Sequence, residues 1–248
     1  MLKRILKIVG GILLGLFLLL FIAGLFFHQS LPKGETGPEA EALAQKMLQA
    51  INKEAWDSTG AVSWSFMGIN HYLWDRERHW VEVKWEDKRV LLRIDEKTGL
   101  AWIGKASVEN QEEKEKMLNA AWKKWVNDSF WMNAPAKALD PGTSRLLVTD
   151  KSGREGLLVS YSQGGATPGD SYLWWLDEAG LPESWQMWVG IIPIGGIRVS
   201  WEDWKTLKTG AKVSELHLMG GITLQISDVQ GAHSVEALTG GTDPFSAL

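Results

Sequence analysis

The chain has 248 residues, with 30 Asp or Glu against 26 Lys or Arg, for a net charge of −4. Lys3, Arg4 and Lys7 stand in the first 27 residues with no acid beside them, so the remaining 221 residues carry a net −7 and lack the cationic excess that phosphate backbones require, which excludes nucleic acid as a partner. Cysteine is absent, which excludes a disulfide scaffold, a thiol nucleophile, a thiolate metal site and a cysteine-linked lipid.

After the basic tip 1–7, residues 8–27 hold no charged or strongly polar side chain. At about 1.5 Å per residue such a stretch makes roughly 30 Å of helix, the thickness of a bilayer's hydrocarbon core. A cleaved signal peptide shares the basic start, but its apolar region usually spans only about 7–15 residues before a small-x-small site. Here Leu25, Phe26 and Phe27 run directly into His28, Gln29 and Ser30, so 8–27 is predicted to be an uncleaved transmembrane helix. The positive-inside rule keeps its N-terminus in the cytoplasm and puts the rest of the chain across the membrane. Residues 28–37, with Pro32, Gly34 and Gly37, read as a short tether.

Thr36 and Glu39 have capping-box spacing, Pro38 suits a first turn, and Leu43, Met47 and Ile51 recur every four residues, which predicts a helix over about 38–55. From Ala61 the period becomes two: Val62, Trp64 and Phe66, then Tyr72 and Trp74, then Val81, Val83 and Trp85, with turns at Glu86-Asp87-Lys88 and Lys97-Thr98-Gly99. A second helix is predicted from a Ser107 cap to about Val126, with Leu118, Ala121, Trp122 and Trp125 on its buried stripe. The charged run at its start (Glu112, Glu113, Lys114, Glu115 and Lys116) is a solvated face, and 129–142 is an irregular crossing. Strands resume at about 144–150, 156–162, 171–177, 183–190, 196–203, 211–218 and 222–227. The tail 231–248 is rich in Gly, Thr and Ser and is expected to fray. The pattern predicts one domain over 38–230, mainly antiparallel β with two to three helices: a large, strongly curved sheet with helices against one face.

Beyond residue 27 there are 15 Trp against 3 Phe and 3 Tyr. Burial in a core accounts for most of them, at roughly 150–250 Å² per ring. Adjacent Trp174 and Trp175 must point to opposite faces of their strand, so both faces of the sheet carry aromatics. An apolar cavity of several hundred Å³ is therefore expected, lined by Trp64, Phe66, Trp74, Trp85 and Trp188. The loops at 163–170 and 190–196 are candidate lids.

Several segments resemble the bacterial lipoprotein-carrier and lipoprotein-sorting family: Ala61-Val62-Ser63-Trp64-Ser65-Phe66, His71-Tyr72-Leu73-Trp74-Asp75, the Trp201-Glu202-Asp203-Trp204 strand, Trp74-Asp75-Arg76 and 168–174. That resemblance implies an incomplete β-barrel closed by helices, sheltering acyl chains outside a bacterial cytoplasmic membrane, on the periplasmic side. The soluble carriers are released and the lipidated acceptors need a cysteine, so a fixed, anchored binder of a lipid or lipoprotein acyl chain fits this chain better than a shuttle.

A catalytic signature does not emerge. His71, Asp75, Glu77 and His79 are the one cluster of metal-ligand types, without a His-Glu-x-x-His or comparable spacing, and neither a Gly-x-Ser-x-Gly elbow nor a phosphate loop occurs. The expectation is a non-catalytic protein with no cofactor and no metal. Two other functions stay open: a carbohydrate or envelope-polymer module using Trp faces as stacking platforms, and a structural protein of an envelope complex.

Overall fold

The alternation of apolar and polar residues from Ala61 onward folds into antiparallel strands that carry indoles on both faces. The computed structural model describes residues 27–164 and 167–248, together with Gly15 and Gly24. The apolar span 8–27 therefore lies, apart from Gly15, Gly24 and Phe27, outside the described residues; among those described, no helix is long and apolar enough to cross a membrane.

The first strands form a meander: β1 (Ala61–Phe66), β2 (Asn70–Asp75), β3 (Trp80–Trp85), β4 (Lys88–Arg93), β5 (Thr98–Ile103) and the two-residue β6 (Ala106–Ser107). A second series follows: β7 (Thr143–Thr149), β8 (Glu155–Tyr161), β9 (Ser171–Leu176), β10 (Pro182–Trp188) and β11 (Ile197–Ser200). The last three are β12 (Glu202–Thr206), β13 (Lys212–Met219) and β14 (Ile222–Ala232). They make two sheets rather than the predicted incomplete barrel. One has nine strands in the order β12-β13-β14-β1-β2-β3-β4-β5-β6, the other five in the order β11-β10-β9-β8-β7, and no barrel closes.

The single strand expected at 196–203 is where the architecture divides. Its first half, β11, pairs with β10 in the small sheet, while its second half, β12, pairs with β13 in the large one. Asp203 takes a left-handed φ of 50° just after the break, and the buried Trp201 sits between the two halves. β11 still lies against β13, so the sheets meet there without a shared ladder.

Among the described residues, four α-helices pack on these sheets: α1 (Pro38–Ala50), α2 (Lys53–Asp57), α3 (Gln111–Asn133) and α4 (Val235–Thr239). The helix predicted over 38–55 is split because Asn52 adopts φ 56° and its side chain caps α2 by accepting from the Ala55 N–H. Asn is among the few non-glycine residues that enter this region readily. The Thr36 capping box does not form; Gly37 precedes the helix without a side-chain cap. Ser107 does not cap α3, since it pairs with Trp102 in β6, and Asn110 accepts from the Glu113 N–H instead. α3 then extends into the segment read as irregular as far as Asn133 and is followed by a 3-10 turn, Ala134–Lys137.

α3 lies across β3, β4, β5 and β13 of the large sheet, and α1 across β7 and β8 of the small one. Rather than closing a barrel's mouth, α3 covers the large sheet and α1 the small one, and the C-terminal end of α3 also reaches the small-sheet core, where Phe130 and Trp131 meet Trp185. The tail does not fray throughout. Phe245 is buried, and with Val235 of α4 it covers Leu73 and Leu91 on the outer face of the large sheet.

Candidate functional site

Of the five residues expected to line a cavity, Trp64, Phe66 and Trp85 are buried in the core between the large sheet and α3, and Trp74 packs against it half-buried. Trp64 stacks on Tyr72 with ring centroids 4.5 Å apart, and Trp74 meets Trp125 of α3 edge-on at 5.3 Å. These four share the face of the large sheet that packs on α3. Trp188 is elsewhere, on the outer face of the small sheet beside Leu146 and Trp175. Two depressions stand out in the surface and interior, and none of the five lines either. One is an open cleft of about 320 Å³ with Thr143, Ser144, Ser160, Tyr161 and Ser162 in its wall; the other is a void of about 10 Å³ beside Trp56 and Met132.

Among the described residues of the serine cleft, no serine is paired with a base. Ser160 Oγ is 2.7 Å from Ser171 Oγ, Ser162 Oγ donates to the Gly142 carbonyl at 2.8 Å, and no histidine, lysine or carboxylate belongs to the wall. The His71 cluster is dispersed as well: His71 Nδ1 bonds Ser65 Oγ at 2.8 Å, Asp75 pairs with Arg78, and His79 Nδ1 lies 3.0 Å from Asp95. Among the described residues, no group of three or more His, Cys, Asp and Glu could hold a metal ion.

The densest buried polar arrangement is one that sequence reasoning missed. Asp128 of α3 is buried and accepts from Tyr72 Oη at 2.5 Å, Asn70 Nδ2 at 2.8 Å and Asn127 Nδ2 at 2.9 Å. Lys124 Nζ, one turn back, donates to Asn70 Oδ1 at 3.0 Å. Burial, then the adjacent Asp128, pushes the Tyr72 hydroxyl well above its ordinary range, so it stays protonated as a donor. The signal was present as two polar residues, Asn70 and Tyr72, on the inward parity of β2. This network pins α3 to one register on the sheet.

The small-sheet core has a different polar group. His217 is fully buried, its ring 4.4 Å from Trp201 and 5.4 Å from Trp131, with Nδ1 3.1 Å from the Ser200 carbonyl. Burial lowers its pKa to about 4, with the Ser200 carbonyl opposing that shift, so the imidazole is neutral at pH 7.

Exposed aliphatic side chains mark a third region. Among the described residues the large exposed hydrophobics are Phe27, Leu31, Met67, Ile69, Ile191, Leu218 and Ile222. Met67 and Ile69 form the β1–β2 turn, and Leu218 and Ile222 flank the β13–β14 turn. These turns share one end of the large sheet, because Phe66 pairs with Ile226 and the Met67 N–H donates to the Gln225 carbonyl at 2.8 Å. The β10–β11 loop carrying Ile191 faces the same end. Leu218 N donates to Ser200 Oγ at 2.9 Å, and β12 runs antiparallel to β13, so the chain leading back from Ser200 to Ile197 travels beside the β13–β14 tip. Met219 and Ile192 accordingly pack on the same cluster. The outcome is an apolar rim along one end of both sheets.

Residues 28–35 are joined to that rim. Gln29 N donates to the Gly195 carbonyl at 2.9 Å, Trp188 Nε1 donates to the Gln29 carbonyl at 2.7 Å, and Gln186 Nε2 donates to Gln29 Oε1 at 3.0 Å. The Gly195 N–H donates to His28 Nδ1 at 3.1 Å, and Glu35 bridges to Leu147. The stretch read as a tether is therefore a strap hydrogen-bonded to the small sheet.

No protein-family model matches the sequence, and none of the curated proteins does.

Proposed function

We propose that the chain is a non-catalytic, membrane-anchored protein that binds an apolar ligand, a lipid or lipoprotein acyl chain, outside the cytoplasmic membrane, and that the contact surface is the apolar rim. The observation that carries this reading is the gathering of Met67, Ile69, Ile191, Leu218 and Ile222, all exposed, at adjacent tips of two sheets. Isolated apolar side chains on a surface need no explanation, but five of them gathered on neighbouring turns and loops make a candidate binding face. Trp64, Phe66, Trp74 and Trp85 support this face from within by holding the large sheet to α3, and Trp188 ties the strap beside it. The reading retains the ligand class implied by the resemblance to lipoprotein carriers and places the ligand at an open rim. None of the fifteen Trp is exposed, which weighs against stacking platforms for sugars.

The test is titration of the full chain, held in an amphipathic polymer, with a fluorescent fatty acid. Saturable binding is expected, weakened roughly tenfold or more in the triple variant Ile69→Ser, Ile191→Ser, Ile222→Ser, since each aliphatic contact contributes on the order of 1.5–3 kcal/mol and 1.4 kcal/mol is tenfold. Saturable binding that is equal in the two proteins would move the site away from the rim, and no binding by either would sink the reading.

A further inference from the structure

We propose that the rim is a second membrane contact of this chain, and that the loop 190–196 enters the same bilayer that holds residues 8–27. This inference rests on the reading of the rim as the apolar-binding face and names its partner as the bilayer itself. Three observations select that occupant.

The first is where the apolar segment arrives. Gly24 and Phe27 are its last described residues, and a Cβ placed on Gly24 would lie 3.6 Å from Ile194 Cδ1, so the segment reaches the domain at the loop. Phe27 is 73% exposed there and Ile191 74%.

The second is the loop's composition. Val189-Gly190-Ile191-Ile192-Pro193-Ile194-Gly195-Gly196 has no charged residue. A run of this kind beside a membrane segment meets the acyl boundary with its aliphatic side chains and needs no compensation for buried charge. The β13–β14 tip, with Leu218 and Ile222 on either side of Gly220-Gly221, continues that surface. The acidic turn Glu86-Asp87, further along the same end of the large sheet, bounds it.

The third is the strap. Four hydrogen bonds join His28 and Gln29 to Gln186, Trp188 and Gly195, so no free linker separates the apolar segment from the loop. A Cβ on Gly196 would stand 2.6 Å from Gln29 Cβ, and one on Gly195 would collide with the Trp188 ring, which shows how closely strap and loop are packed. A domain held this way presents one end to the membrane instead of swinging above it.

The absence of native cysteine makes the experiment direct. Single-cysteine versions of the full chain, Ile191→Cys, Ile222→Cys and Glu178→Cys, are labelled with an environment-sensitive fluorophore and reconstituted into phosphatidylcholine–phosphatidylglycerol vesicles, with and without doxyl-labelled acyl chains. Glu178, in the β9–β10 turn, lies at the opposite end of β10 from the loop and serves as the water-facing reference. The expected result is blue-shifted emission and several-fold greater doxyl quenching at position 191 than at 178, with 222 between them. Quenching at 191 and 222 no greater than at 178 overturns the proposal. So does a blue shift without doxyl quenching that grows with protein density, which would assign the rim to a second copy, and so does failure of the chain to float with the vesicles. Fatty-acid titration of the same variants separates the two readings: saturable binding without doxyl quenching removes the bilayer contact alone, and loss of both removes the apolar-binding face as well.

Discussion

The two aromatic cores of this protein solve the same packing problem with different polar chemistry. Between the large sheet and α3, Trp64, Tyr72, Trp74 and Trp125 pack ring against ring, and Tyr72 joins a hydrogen-bonded network in which Asp128 takes three donors. Between the small sheet and its helical cover, Trp174, Trp185 and Trp201 meet at centroid separations of 4.7–5.0 Å, and Trp201 and Trp131 flank the neutral His217. Among the described residues the indole N–H groups of Trp174, Trp185 and Trp201 have no conventional acceptor, nor do those of Trp64, Trp74 and Trp125 in the first core, so what separates the two is the Asp128 network. The first core is held in register by direction-dependent bonds. The second depends on dispersion and edge-to-face ring contacts, and so tolerates polar loss better than loss of volume.

The sharpest way to break this contrast is to remove a ring from each core. Trp185 touches Phe130, Trp131, Tyr172, Trp174 and Trp201, whereas Trp64 contacts Tyr72 and Trp74. Trp185→Ala is expected to cost about 5 kcal/mol and Trp64→Ala about 3–4, read from denaturant midpoints. Trp185→Phe should recover most of the loss, because the indole N–H it deletes has no partner. If Trp185→Phe costs as much as the alanine change, the view of this core as ring-packed is wrong.

Next in size is Asp128→Ala, which leaves the Tyr72 hydroxyl and the Asn70 amide buried with no acceptor, at about 3 kcal/mol. A cycle with Tyr72→Phe sharpens the point: coupling of about 1–2 kcal/mol is expected, and additivity would mean that the network does not act as a unit.

Much of the first core was legible from alternation alone. Trp64, Phe66 and Trp85 were placed on the inward face because that face is fixed by period-two burial on three neighbouring strands. The same parity, applied to Trp185 and Met187, puts Trp188 on the other side of β10, where it is found; its assignment to the interior overlooked that relation. The division into two sheets was not legible. The run through Trp201 alternates acceptably, and nothing local specifies that β11 and β12 choose different partners. The start of α3 was misplaced for a similar reason. Ser107 is a good cap by composition, but pairing with Trp102 takes it into β6 and hands the cap to Asn110. The rim carries a readable signal, the uncharged run from Val189 to Gly196, but the turns that stand beside it depend on long-range pairing.

The histidine of the second core gives a pH test of about the same size as the network deletion at its limit, and a smaller one at any pH a cell experiences. His217 has its folded pKa depressed from 6.5 to about 4. Above pH 6.5 neither the folded nor the unfolded imidazole binds a proton, so the full stability is present. As the pH falls below 6.5 the unfolded chain takes up a proton that the folded core refuses, and stability declines until about pH 4, where the folded form protonates too. At 1.36 kcal/mol per pH unit the decline totals about 3 kcal/mol, and only about half of it is realised by pH 5.5. His217→Gln should be less stable at pH 8 but should lose less between pH 6.5 and 4 than the unaltered protein, a difference that cancels the carboxylates common to both. Parallel stability profiles for the two proteins would mean that the ring is reached by water or paired in the folded state, and the distinction between a bonded core and a ring-packed one would lose its electrostatic half.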